Sequence, residues 1–260
     1  MKKTVWITGA SSGIGEALTY EYAQLGWQVI ISARRESVLE EVKSNCENAK
    51  NIQLLPLDLA EHGLMKQKVA EALKLFGQID VLVNNGGISQ RSLALETSLE
   101  VDKRLMDVNY FGTVALIKGI LPHFIERKSG QITTITSLVG KFGTPYRSSY
   151  SASKHALHGF IDAVRAEHFK DNVKFTIACP GFVQTNVSKN ALTADGSPQN
   201  TMDEATANGI TAQKCAKSII KAIQQEKEEV YIGQKEIYAV YLKRFFPSFF
   251  SRFLRKASVK

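Results

Sequence analysis

Between Val5 and Ala178, apolar runs of strand length alternate with longer segments patterned for helices. Val5–Thr8, Gln28–Ala33, Ile52–Pro56, Ile79–Val83, Gln131–Thr136 and Lys174–Ala178 are short and rich in Val and Ile, as strands buried on both faces are. Gly15–Leu25, Glu36–Asn45, Leu64–Phe76, Leu99–Ile125 and Ser149–Phe169 carry apolar residues at three- and four-residue spacing. Connections long enough to hold a helix permit parallel neighbours, and a parallel sheet needs cover on both sides. The alternation therefore predicts an α/β fold, and right-handed crossovers make a doubly wound, Rossmann-like sheet the leading arrangement. A closed (β/α)8 barrel needs eight such units. The pattern supplies six, with a short seventh strand at Val230–Ile232.

A chain of 260 residues, 44% hydrophobic and 22% charged, is long enough to bury a core without metal or disulfide staples. That composition excludes collagen-like, disordered and disulfide-scaffold classes. Cys46, Cys179 and Cys215 are odd in number and scattered, which suits a reducing compartment. Lys2-Lys3 precede only Val5-Trp6-Ile7 before Gly9, too short for a signal peptide, and no run of apolar residues has the length of a spanning helix. A cytoplasmic protein is the expectation.

The net charge of +8 is unevenly spread. Residues 235–260 hold seven basic groups (Lys235, Lys243, Arg244, Arg252, Arg255, Lys256, Lys260) and one acid, Glu236, so the rest of the chain carries only +2. The same stretch contains Phe245, Phe246, Phe249, Phe250 and Phe253. The chain thus divides into a near-neutral Rossmann-like domain, residues 1–233, and a basic, aromatic helical extension, residues 234–260. A body so close to neutral, with no binding motif, argues against nucleic acid.

Thr8-Gly9-Ala10-Ser11-Ser12-Gly13-Ile14-Gly15 leaves the first strand and opens the first helix. Gly9 allows the tight exit, Gly13 lets backbone approach a pyrophosphate, and Gly15 lets helix and strand pack closely. The helix N-terminus offers unpaired N–H groups and partial positive charge to phosphates. Gly9, Ser11, Ser12, Gly13, Ile14 and Gly15 are therefore candidate cofactor-binding residues. An NAD site usually places a carboxylate after the second strand to hold the ribose hydroxyls. Here that stretch reads Ser32-Ala33-Arg34-Arg35. A guanidinium at Arg34 pairs with a 2′-phosphate, so NADP(H) is the expected cofactor. Asp58, after the third strand, is placed either to accept from the adenine amino group or to cap a helix.

Tyr150 and Lys154 lie four apart on a helical segment, about 40° and one turn from each other on one face. A phenol is a poor base at neutral pH, and a nearby ammonium favours its ionised form. Ser137, thirteen residues before Tyr150, follows a strand where its hydroxyl can hold a substrate carbonyl. Such a set performs proton transfer to or from oxygen.

Together Thr8–Gly15, Asn84-Asn85-Gly86-Gly87, Asn109, Ser137, Tyr150, Lys154 and Pro180-Gly181-Phe182-Val183-Gln184-Thr185 resemble the short-chain dehydrogenase/reductase family in order and spacing, over residues 1–233. The resemblance implies a Rossmann-like fold and a catalytic set of Asn109, Ser137, Tyr150 and Lys154. It makes Tyr150 the proton donor or acceptor, Lys154 also a ligand of the nicotinamide ribose, Ser137 the stabiliser of the carbonyl oxygen, and Asn109 the holder of a relay water. It adds Asn85, Pro180, Gly181, Val183 and Thr185 to the cofactor contacts. Gly86 departs from the usual Asn-Asn-Ala-Gly, which should loosen the loop slightly. A homodimer or homotetramer through the long helices is also implied. The stretches Val108–Gly112 and Gly181–Gly209 look like the member 7B-like branch of that family, which is membrane-associated and linked to reduction of acyl- or alkyl-dihydroxyacetone phosphate. That points to a lipophilic carbonyl substrate. A non-catalytic NADPH-binding sensor and a lipid-surface interaction protein are the alternatives.

His155 and His158 lie three apart on the Tyr150 helix, yet no carboxylate or cysteine cluster accompanies them, so no metal is expected. Cys179 reads as a small buried hydrophobe, and Lys214–Lys227 as a helix with a solvated face. In the extension, Leu242, Phe245/Phe246, Phe249/Phe250 and Phe253/Leu254 recur at helical spacing, with Pro247 starting a second helix or kinking the first. The basic aromatic segment suits a membrane interface equally with docking on its own body or on a second subunit.

Overall fold

The computed structural model describes residues 2–255. In chain order its strands are β1 (Thr4–Thr8), β2 (Gln28–Ser32), β3 (Ile52–Leu54), β4 (Val81–Asn84), β5 (Gly130–Ile135), β6 (Val173–Pro180), β7 (Val183–Gln184), β8 (Ile210–Thr211) and β9 (Glu229–Ile232). The two-residue strands β7 and β8 pair with each other. The other seven form one parallel sheet in the order β3-β2-β1-β4-β5-β6-β9. The doubly wound, Rossmann-like fold expected from the alternation is the one observed, and the short strand near Val230 joins the sheet as its seventh member.

Each strand feeds two cores, because successive side chains point to opposite faces. Val5, Ile7, Val29, Ile31, Val81 and Val83 pack on one side of the sheet, while Trp6, Ile30 and Leu82 pack on the other. The first face is covered by α1 (Gly13–Gln24) and α2 (Glu36–Ser44), the second by α3 (Met65–Phe76). After α4 (Leu99–Met106), the helices α5 (Gly112–Arg127) and α6 (Ser148–Glu167) also cover the second face. Beyond the single turn α7 (Glu204–Ala207), α8 (Ala212–Gln224) returns to the first face and buries Cys215, Ala216, Ile219, Ile220 and Ile223. Its outer side carries lysines, which is how one helix reads as solvated and still packs.

Leu99–Ile125 is not one uniform helix. A π-turn at Asp107–Phe111 separates α4 from α5, and Asn109 sits within it. The continuous run Leu99–Arg127 is long and apolar enough to cross a membrane, but Leu116, Ile117, Ile120, Leu121 and Phe124 are spent on the core. The inserted residue rotates α5 relative to α4, a feature common at functional sites.

The chain runs outward from β1 to β3, then crosses back to place β4 beside β1. At that reversal the connections leave in opposite directions, and a crevice opens outside the carboxyl ends of the strands. The final helices, α9 (Tyr238–Phe245) and α10 (Pro247–Leu254), stand at its mouth, with Pro247 opening α10. Val240 and Phe250 anchor the pair in the second core, and the Phe250 ring meets Phe142 edge-on at 5.2 Å. The extension therefore docks on its own body. Lys256 and Lys260 lie outside the described residues.

Candidate active site

The glycine turn is built by close approach. Gly9 and Gly13 hold φ of +65° and +60°, where a side chain would be strained. A Cβ on Gly15 would lie 2.3 Å from the Gly9 carbonyl oxygen, so only glycine lets α1 start so near β1. Ser12 caps α1 without spending its hydroxyl on the helix, and the first-turn amides have no intrahelical acceptor. Asn85 plays a different part from a simple ligand contact. Its Nδ2 donates to the Thr8 and Gly9 carbonyls at 3.0 and 3.1 Å, while Thr8 Oγ1 accepts from the Asn85 and Gly86 amides at 3.1 and 3.0 Å. The loop after β4 thus braces the glycine turn across the switch point. Gly86 sits under Leu59, whose Cδ1 would be 2.6 Å from an added Cβ.

Beyond the turn, the cleft wall carries Arg34, Arg35 and Asp58. Both arginines are exposed, with no ion pair among the described residues. Asp58 accepts from the Ala60 amide at 3.0 Å, a local turn rather than a helix cap, and still lines the cleft. From the other side, Pro180, Gly181, Val183 and Thr185 leave β6 and return to the glycine turn. Thr185 Cγ2 would lie 2.8 Å from a Cβ on Gly13. Gly181 leaves room for the Glu236 carboxylate, which accepts from the Phe182 amide at 3.2 Å. With an open amide-lined turn, a guanidinium and a carboxylate along one wall, these residues fit a dinucleotide.

Ser137, Tyr150 and Lys154 converge on the middle of this cleft. Ser137 Oγ donates to the Pro180 carbonyl at 3.3 Å and accepts from the Val139 amide at 3.3 Å. Lys154 Nζ is buried, donates to the Ile135 carbonyl at 3.0 Å, and lies 5.8 Å from the Tyr150 ring centre. Burial lowers the Lys154 ammonium to about 8. Burial also raises the Tyr150 phenol, opposed by the charge of Arg91, the Ser137 hydroxyl and the charge of Arg147. Asn109 stands behind the wall rather than on it. Its Oδ1 accepts from the Ile88 amide at 2.8 Å, and its Nδ2 donates to the Ile88 carbonyl and to Ser153 Oγ, both at 3.0 Å. Ser153 in turn donates to the Tyr150 carbonyl at 2.8 Å. The asparagine side chain ties the loop after β4 to the turn of α6 that carries Tyr150.

Two cations near Tyr150 went unseen in the sequence. Arg91 and Arg147 both line the cleft and share Asp203: Arg91 contacts its Oδ2 through Nε and a terminal nitrogen at 2.7 Å, and Arg147 contacts it at 3.2 Å. Arg91 also donates to Ser89 Oγ and the Gln90 carbonyl. Burial pushes the Asp203 carboxyl up, but the Arg91 and Gln199 hydrogen bonds and the two guanidinium charges outweigh it, holding it low. Arg147 stands three residues before Tyr150, but Arg91, Arg147 and Asp203 each sit in a polar stretch of sequence that gives no sign of their meeting.

His158 meets Cys179 and Glu229, with potential ligand atoms within 4.8 Å of one another. The Lys141 ammonium already engages the Glu229 carboxylate, and burial raises the Cys179 thiol to about 12. Metal binding needs the thiolate, so the set reads as a polar network in which Lys141 pairs with Glu229 and His158 lies against it.

The cleft has a volume of about 1130 Å³ and two chemically distinct ends. One holds the glycine turn and Arg34; the other is walled by Phe142, Tyr238, Tyr241, Leu242, Phe245 and Phe250. A Rossmann-like sheet with a glycine turn at its switch point and a Ser-Tyr-Lys set in the adjoining cleft defines a nucleotide-binding oxidoreductase. Residues 3–196 match the short chain dehydrogenase family. The chain is 45% identical over 99% of its length to a dehydrogenase/reductase SDR family protein 7-like of Anopheles gambiae, covering 84% of that protein. It is 38% identical over 98% of its length to dehydrogenase/reductase SDR family member 7B of Mus musculus, covering 81% of it. A short chain dehydrogenase/reductase from Burkholderia phymatum in complex with NAD superposes with a TM-score of 0.85 at 21% identity, over 95% of both chains. A short chain dehydrogenase from Burkholderia cenocepacia in complex with NADP superposes at 0.81 and 21%, over 98% of both. The chain belongs to the short-chain dehydrogenase/reductase family, and its relatives include the member 7 and 7B proteins.

Proposed function

We propose that the protein is an NADP(H)-dependent oxidoreductase that interconverts a carbonyl and an alcohol on a lipophilic, lipid-derived substrate. The observation that carries this reading is the convergence of Ser137, Tyr150 and Lys154 between a dinucleotide cradle and an aromatic chamber in one cleft. The Ser11–Gly15 turn would hold the pyrophosphate, Arg34 the 2′-phosphate and Asp58 the adenine amino group. Lys154 would hold the nicotinamide ribose. When bound, the cofactor supplies or accepts hydride at the substrate carbon.

The chain's own residues manage the oxygen and its proton. In reduction the Tyr150 phenol donates its proton to the carbonyl oxygen, and Ser137 turns from the Pro180 carbonyl to donate to the same oxygen. A phenol raised by burial stays protonated through neutral pH, as this direction requires. The Lys154 ammonium stands beside Tyr150 to favour the phenolate left behind, and Arg91 and Arg147 add positive charge there. Asn109 keeps Tyr150 in register through Ser153. The aromatic end of the cleft favours a substrate with a long apolar portion. The matched NAD and NADP structures agree with a dinucleotide site, and the exposed Arg34 supports the phosphorylated form. We further propose a homodimer or homotetramer through α4–α5 and α6, in the cytoplasm, with the C-terminal helices in contact with a membrane.

Cofactor oxidation measured with NADPH and NADH over a panel of short- and long-chain ketones tests the assignment. Faster turnover with NADPH is expected. Tyr150→Phe should keep NADPH binding while turnover falls by about 10²-fold or more, the scale of general acid catalysis. Unchanged reduction by the variant would sink the role given to Tyr150.

A further inference from the structure

α9 and α10 present an aromatic surface that the body does not cover. Phe245, Phe246, Phe249 and Phe253 are 69%, 62%, 58% and 52% exposed, and Tyr238 is 72% exposed. Contiguous exposure of this kind marks a surface with a partner. Val240 and Phe250 anchor the two helices in the core, and the exposed rings lie on the rest of the docked pair. Lys243, Arg244, Arg252 and Arg255 are exposed on the same pair, and no acidic residue occurs from Tyr238 to Arg255. The same elements form the mouth of the cleft, where Tyr241, Phe245, Phe246 and Phe253 each belong to its lining.

Aromatic rings ringed by cations suit the interface of an anionic bilayer, where rings sit at headgroup level and each basic group adds attraction. A second copy is a poorer occupant. A twofold contact sets a patch against itself, which here would oppose four cations to the same four without a carboxylate between them.

We propose that α9 and α10 dock the protein on an anionic lipid surface and that lipophilic carbonyl substrate enters the cleft directly from it; the second part rests on the oxidoreductase reading above. Rings that line the mouth also touch the lipid, so an apolar substrate passes from bilayer to Tyr150 along one continuous apolar path.

The test uses residues of the surface that do not line the cleft. Full-length protein and the variant Lys243→Glu/Arg244→Glu/Phe249→Ser/Arg252→Glu are floated with phosphatidylcholine vesicles, with and without phosphatidylserine. The parent should float with the anionic vesicles, and the variant should bind at least about tenfold more weakly, given the attraction each basic group supplies. kcat/KM for a long-chain ketone carried in those vesicles should fall about as far, while that for a short water-soluble ketone stays unchanged. Thermal unfolding checks that the variant is folded, and Phe249→Ser with Arg252→Glu serves if it is not. A parent that ignores anionic vesicles, or a variant that floats equally well, overturns the docking. So does a parent that self-associates through this surface and leaves the vesicles unbound. Equal loss on both ketones overturns delivery alone. If neither protein reduces any carbonyl, the oxidoreductase reading fails, and flotation still decides the docking.

Discussion

Lys154 shows how one side chain is held against its own solvation. Its ammonium is buried, with the Ile135 carbonyl as acceptor at 3.0 Å, and burial brings it down from 10.5 to about 8. A lysine whose folded value is depressed binds fewer protons folded than unfolded between those two values, so stability rises with pH from about 8 to 10.5. Below pH 8 the full cost of the buried charge is present. Lys154→Met should therefore raise the stability of the cofactor-free protein at pH 7 by about 1–3 kcal/mol. The gain should shrink as the pH climbs past 8, measured by urea unfolding across that range. Turnover should be lost in the same variant. A destabilised variant at pH 7 would mean that the ammonium stabilises the empty cleft. The residue was legible from its spacing to Tyr150; its desolvation was not, because spacing says nothing of depth.

Among the elements, the segment between β6 and α8 has little regular structure, yet it closes one side of the cleft. Arg91, after β4, reaches Asp203 across 112 positions of sequence, and Arg147 joins them from the start of α6. That buried clamp ties three loops into one wall. Removing a buried carboxylate from beside a guanidinium costs about 3–5 kcal/mol, since the remaining charge stays out of water. Asp203→Asn should lose stability on that scale, seen as a lower urea midpoint, and should weaken substrate binding more than cofactor binding. The π-turn at Asn109 is the other device of this scale. One extra residue barely disturbs a three- and four-residue apolar pattern, so Leu99–Ile125 read as a single helix. Only packing against Leu59, Ile88 and Ser153 shows where the turn falls.

At the scale of the molecule, α6 and the loop before it are joined to the edge of the sheet by a polar network at Glu229 as well as by packing. Burial pushes the Glu229 carboxyl up, but hydrogen bonds from His158, Lys141 and Tyr231 outweigh it and bring it down to about 2. A depressed carboxyl contributes stability above its unfolded value, here 4.5, and loses it as pH falls towards 2. Glu229→Gln should cost on the order of 2–3 kcal/mol at pH 7 and almost nothing near pH 2. Urea unfolding of both proteins from pH 7 downward reads this directly; a pH-independent difference would assign the loss to shape rather than charge.

The sequence by itself determined the α/β class, the parallel sheet, the glycine turn and the Tyr150–Lys154 pair. Those features are local: a strand-length apolar run, a turn that tolerates only glycine, two residues one helical turn apart. Tertiary structure decided which atoms meet across the switch point. It turned Asn85 and Asn109 into braces, brought Arg91, Arg147 and Asp203 together, and set Phe250 in the core while leaving Phe249 in the open. Neighbouring phenylalanines are identical in composition and adjacent in sequence. Only the direction from which α10 meets Phe142 separates the one that anchors from the one that faces outward, and that direction is set by the packing of the whole sheet.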